Sequence, residues 1–252
     1  MKTIITGLIL IQFCVFNSLA FGSPQNKTIT LSYHDAGWPP YLLVNNQGIM
    51  VDTLSTITDK IGYKLLIKPL PEKRIDLQLE IGQTDCRPKA REWVANPDGY
   101  YWTDSVVISE DILIFRKGEF ANINSPKDIE QSEIKVVGAI LGYKYPTLET
   151  LFSTGKISRQ DILSTSSLIK NLNLKRVDVI ITNKFVAQWI IKNDKTLTQN
   201  MFRFSLPVAG AKYRFQFSKH DDWKPLIIQF NKELARMKKD GRLKAILDKY
   251  LK

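Results

Sequence analysis

Residues 28–68 read TITLSYHDAGWPPYLLVNNQGIMVDTLSTITDKIGYKLLIK, and the order of patterns in this stretch decides the fold. Thr28 to Tyr33 mixes β-branched and aromatic residues and predicts a strand. His34 to Pro40 is rich in turn formers and predicts a loop. Met50, Leu54, Ile57 and Ile61 then fall at i, i+4, i+7 and i+11, the spacing of one face of an amphipathic helix. Gly62 ends that helix. Tyr63 to Lys68 is β-rich again, and a strand, a helix and a second strand in that order imply a parallel sheet.

The same alternation runs on. Pro71 opens a short helix carrying Ile75 and Leu79, which Gly82 stops, and Ile108 to Arg116 predicts a strand long enough to pass between two lobes. Ser125-Pro126-Lys127-Asp128 then forms a helix-cap pattern. Lys135 to Ile140 and Val177 to Ile181 read as strands, and Tyr145 to Phe152, Ser164 to Leu172 and Phe185 to Ile191 as helices, so a second α/β lobe is expected. Phe202 to Phe217 contains β-rich stretches able to carry the chain back. Trp223, Leu226, Ile227, Phe230, Leu234 and Met237 share one helical stripe; Gly241 breaks it, and Leu243, Ile246, Leu247 and Tyr250 form a second. No internal repeat or low-complexity linker separates the parts, as expected of lobes joined by strands rather than by a tether.

Seven marks occur in order: Asp35 to Tyr41 (DAGWPPY), Gly48 to Asp52, Pro71 to Asp85 (PEKRIDLQLEIGQTD), Tyr101-Trp102-Thr103, Val136 to Gly142 (VVGAILG), Lys175 to Asn183 (KRVDVIITN), and Phe230-Asn231 through Tyr250. Taken together they resemble the periplasmic substrate-binding proteins typified by polar-amino-acid transport. That resemblance implies the two-lobed type II periplasmic-binding fold, in which each lobe is a mostly parallel sheet flanked by helices and two crossover strands join the lobes. Residues 24–113 and 208–252 would form lobe one, and residues 114–207 lobe two. The implied activity is capture of a small polar solute, anionic or amino-acid-like, between the lobes for an ABC importer, with no cofactor. A ligand sensor or receptor acting through an inner-membrane partner protein is the alternative. A cyclic-acid dehydratase on the same fold is a third reading, in which Glu72, Glu80, Glu92 and Glu110 are the available acids. No appended lytic domain is expected.

Ligands in open α/β sheets sit beyond the carboxyl ends of the strands, so the loop after the first strand should face the cleft. The resemblance puts an aromatic wall at Trp38 and an acid at Asp35. Pro39 and Pro40 fix φ and pre-order that loop. Amino-acid binders of the family hold the ligand carboxylate with an arginine three positions after a threonine, a pattern absent here. Arg87 and Arg91 lie close behind the strand Thr84 to Arg87 instead, either able to grip a carboxylate bidentately. Arg91 is the first choice and Arg74 a weaker one. Gly142 and Tyr143 follow a strand and precede a helix, so their N–H groups can meet an anion. Asn183 stands where the family's amino-acid binders carry an aspartate, which keeps an acceptor but removes a charge.

The first 22 residues, with Lys2, the apolar run Ile4 to Phe16 and small-residue sites ending at Ala20 and Gly22, read as a secretory signal peptide that directs the protein to the periplasm. The run is shorter than the ~20 residues needed to span a bilayer. Removing it leaves Cys86 as the one cysteine, so no intramolecular disulfide is expected, and a small buried strand residue is the simplest reading of it. The net charge of +11 comes from scattered lysines and arginines without aromatic interleaving, which argues against nucleic acid. Two histidines far apart, His34 and His220, make a metal site improbable. A monomer is expected.

Overall fold

The computed structural model describes residues 27–252, and the expected leader lies outside them. The chain runs β1 (Lys27–His34), α1 (Ile49–Ile61), β2 (Tyr63–Leu70), α2 (Glu72–Glu80), β3 (Cys86–Ala90), β4 (Tyr101–Trp102) and β5 (Val107–Arg116). It continues with α3 (Pro126–Ile129), β6 (Val136–Ile140), α4 (Pro146–Ser153), β7 (Ser158–Ile162), α5 (Thr165–Asn173), β8 (Val179–Asn183) and α6 (Lys184–Asn193). The long β9 (Phe202–Phe217) leads into α7 (Lys224–Asp240) and α8 (Arg242–Leu251).

Strand pairing follows the order β2-β1-β3-β9-β5-β8-β6-β7, with β4 also on β9. β1 is parallel to β2 and β3, β6 is parallel to β7 and β8, and the two parallel groups are joined through the antiparallel pair β5 and β9. This is the type II periplasmic-binding arrangement, with β5 and β9 as the two crossover strands. The apolar side chains divide accordingly. One core takes residues from Ile29 to Val107 and from Ala211 to Tyr250, and two more draw on residues from Ile112 to Phe204. Besides the crossover strands, α6 contributes to both sides of that division, with Val186 in the first core and Ala187 and Ile191 in another. Cys86 is fully buried in the first core, and burial pushes its thiol far above the usual range.

Local chemistry accounts for the element ends. Gly62 adopts φ 80° and returns its N–H to Thr58, closing α1. Ser125 and Asp128 form the expected capping box, and the Ser164 hydroxyl accepts from the Ser167 N–H at the start of α5. Strands β4 and β7 carry little hydrophobic alternation and were not expected from the sequence. β9 is one continuous strand despite Pro207, because its register against β5 shifts on both sides of the Ile112–Pro207 pair. Proline has no N–H for the ladder, so a bulge forms there. The Leu113 N–H that the bulge frees donates to the Ser205 hydroxyl at 2.9 Å.

Candidate functional site

A cleft of about 900 Å³ opens between the cores, where the carboxyl end of β1 and the β5–β9 pair face the carboxyl ends of β6 and β8. Its first wall is the loop after β1. Trp38 and Leu42 pair as a two-residue antiparallel bridge, with N–H···O distances of 2.7 and 3.1 Å. Glycine is required twice for this loop to close. At Gly37 (φ 71°) a Cβ would lie 2.8 Å from the Leu42 carbonyl, and at Gly48 (φ 122°) it would lie 2.5 Å from the Tyr41 carbonyl. The Gly48 N–H donates to the Tyr250 hydroxyl, which donates in turn to Asp52, so α8 holds the start of α1 in place.

Trp38 is thereby fixed against other rings. It stacks on Tyr41 at 4.5 Å between centroids, meets Tyr213 edge-on at 5.4 Å and reaches Trp93 at 6.1 Å. Trp38, Trp93 and Tyr213 line the cleft, and Tyr41 lies behind them with its hydroxyl 3.0 Å from Asn183 Oδ1. Burial raises the phenols of Tyr41 and Tyr213 well above the ordinary tyrosine value, so both stay neutral donors.

The polar floor comes mostly from the crossover strands and β8. Asn183 is 8% exposed; its amide donates to the Ser109 hydroxyl at 2.9 Å, and its Oδ1 caps α6 through the Val186 N–H. Thr182 and Thr165 share a hydroxyl contact of 3.1 Å. Asp111 faces the same space beside Ala209 and Ala211, and burial pushes its carboxyl up to about 6. Ser164, Thr165 and Ser166 at the start of α5, and Lys144, close the opposite side.

The arginines divide sharply. Arg87 is 3% exposed and lines the cleft, but its guanidinium is paired with both Glu72 and Asp76. Lys89 joins the group at 2.8 Å from Glu72. Burial alone would raise the Glu72 carboxyl; the Lys89 hydrogen bond and the Arg87 charge outweigh it and hold the group below its ordinary value. Two anions thus balance two cations. Arg91 lies in the turn beyond β3, half exposed and paired with Asp98, and Arg74 is an exposed residue of α2; neither lines the cleft. The alternation of β3 is the reason: Arg87 and Lys89 share a face that meets α2, and the chain leaves the sheet at Arg91.

Of the remaining expected residues, Trp38, Tyr143 and Asn183 line the cleft, whereas Asp35 and Gly142 do not. Asp35 is half exposed, 3.5 Å from His34 Nδ1, and that nitrogen accepts from the Ala36 N–H. α4 begins at Pro146, four residues past Gly142, and the Tyr145 N–H is already taken by Glu149. Sequence reasoning missed Asp111, Ser109, Thr182, Trp93 and Tyr213. Asp111 carried a usable signal, because an acid two residues after Ser109 in a strand shares its face.

Residues 32–252 match the family described as bacterial extracellular solute-binding proteins, family 3. A probable amino-acid-binding protein, YxeM, of Bacillus subtilis (strain 168) is 24% identical over 205 residues, 81% of this chain and 75% of that protein. Among solved structures, the second substrate-binding domain of Lactococcus lactis GlnP in its open conformation superposes with a TM-score of 0.72 at 20% identity, covering 91% of this chain and 97% of that one. The L-cystine solute receptor of Neisseria gonorrhoeae, unliganded and open, gives 0.72 at 16% identity over the same shares. At these identities the structures establish the fold.

Proposed function

The chain belongs to the family 3 extracellular solute-binding proteins, and on that premise we propose that it captures a small polar, amino-acid-like solute in this cleft by binding, without chemistry. The observation that carries the reading is convergence. Arg87 and the Trp38–Tyr213 wall from the first core face Ser109, Thr182 and Asn183 from the crossover and second-core strands, around a volume suited to a small molecule. YxeM is named a probable amino-acid-binding protein and the Neisseria gonorrhoeae protein an L-cystine solute receptor, which supports the class. No helix of the described residues is long and apolar enough to cross a membrane. The family's extracellular role supports a periplasmic protein that hands its solute to a membrane partner, either an importer's permease or a sensor.

Trp38 would cover the solute, Asn183 and Tyr143 would contact it, and Lys144 with the first turn of α5 would receive its acidic end. Arg87 would act indirectly, by fixing Glu72 and Lys89. A thermal-shift screen of amino acids, organic acids, amines and short peptides tests this. At a hundred times its dissociation constant, a true ligand stabilises the protein by about 2.7 kcal/mol, a rise of several degrees. Trp38→Ala should weaken that ligand's binding about ten-fold or more. A screen without any shift would remove the reading.

A further inference from the structure

We propose that Asp111 is the anchor for a cationic group of the solute, an ammonium or a guanidinium. The proposal rests on the reading of the cleft as the solute site.

Asp111 stands on β5 with Asn183 of β8 as its partner on one side and Ala209 of β9 on the other. The bulge at Pro207 begins immediately after it, which re-aims the strand at this point. Its partners across the ladder are Asn183 and Ala209, Ser109 stands two residues before it on the strand, and Asp111 lines the cleft. Among the described residues, no hydrogen bond or ion pair reaches that carboxylate. The nearby cations are committed elsewhere: Lys184 to Glu110 at 3.1 Å, Lys89 to Glu72, and Arg87 to Glu72 and Asp76. Lys144 lines the same cleft but makes no ion pair with Asp111. The phenols of Tyr41, Tyr143 and Tyr145 feel its charge and stay neutral.

A mostly buried carboxylate without a partner is unfavourable, and its raised pKa reports that cost. The fold keeps it in the lining of a cleft that Trp38 and Tyr213 also line, and aromatic faces also suit a cation. An arriving ammonium or guanidinium removes the penalty. Asn183, one strand away, is neutral and its Oδ1 already accepts from the Tyr41 hydroxyl and the Val186 N–H, so the unpaired negative charge of the site lies on β5.

Calorimetry with L-lysine, L-arginine, L-glutamine, putrescine and succinate at pH 7.5 tests the assignment on the wild type and on the Asp111→Asn, Asp111→Glu and Trp38→Ala variants, each checked for folding by circular dichroism. The expected result is binding of at least one cationic probe, weakened ten-fold or more by Asp111→Asn and partly restored by Asp111→Glu. Binding that Trp38→Ala reduces but Asp111→Asn leaves unchanged overturns the anchor and keeps the cleft. Binding of succinate alone, undiminished in Asp111→Asn, does the same. A wild type that binds no probe overturns both.

Discussion

Asp111→Asn should make the unliganded protein more stable at neutral pH, and the size of the gain follows from the structure. Burial raises the carboxyl from 3.8 to about 6 in the folded chain. A gap of that size is worth about 3 kcal/mol between the two protonation states. The folded pKa lies above the unfolded one, so the contribution is fully favourable below pH 4 and is lost as pH rises through 6. Above pH 7 the wild type carries the whole penalty, whereas asparagine carries a pH-independent cost for its amide. Urea unfolding at pH 4.5, 5.5, 6.5 and 7.5 reads the difference between the two proteins. The stability of Asp111→Asn relative to wild type should climb by about 2 kcal/mol across that range, since part of the penalty is already present at pH 4.5, or roughly 4–8 °C in Tm if measured thermally. The groups facing Asp111 are Tyr41, Tyr143 and Tyr145, all raised and neutral here, and Glu110, paired with Lys184. A relative stability that stays flat with pH refutes the reasoning, because no other consequence of the substitution titrates in this window.

The same charge predicts how binding depends on pH. Affinity for a cationic probe should be constant above about pH 7 and fall up to ten-fold per pH unit below 6, as protons compete for Asp111; calorimetry on His34→Gln, which removes the histidine that lines the same cleft, should show the same profile. Gly48→Ala should destabilise the fold by about 2 kcal/mol or more, measured by denaturant melts, because the backbone at φ 122° and the Tyr41 carbonyl 2.5 Å from the new Cβ both resist it. Arg91→Ala should cost under about 1 kcal/mol and leave binding unchanged, since its pair with Asp98 is exposed. Arg87→Ala should cost about 2 kcal/mol or more, because Glu72 and Asp76 lose the cation between them.

The contrast between those two arginines shows what the chain discloses by itself. Helix faces are local and periodic, so the stripe Met50, Leu54, Ile57 and the capped start at Ser164 could be read directly. Lobe order follows from alternating patterns, and the crossover strand Val107–Arg116 stands out by its length. A side chain's partner is different in kind. Arg87 and Arg91 are four residues apart with the same chemistry, and only the end of β3 at Ala90, together with two acids 11 and 15 residues earlier on α2, sends one into the cleft and the other outside.

Trp38 was legible because its loop announces itself with glycine and two prolines. Tyr213 was not, being one aromatic among several in a strand whose register depends on a bulge a few residues away. Asp111 combines both cases. Its parity with Ser109 is written in the sequence, but its isolation is a property of its neighbours together: Arg87, Lys89 and Lys184 are engaged by other acids, Lys144 makes no ion pair with it, and the positions across the ladder are alanine and asparagine. A charge left unpaired in a cleft whose Arg87, Lys89 and Glu72 are matched is a local conflict that folding alone does not explain. Such conflicts persist where a bound partner resolves them, and here the open side of Asp111 faces the cleft, where a solute would lie.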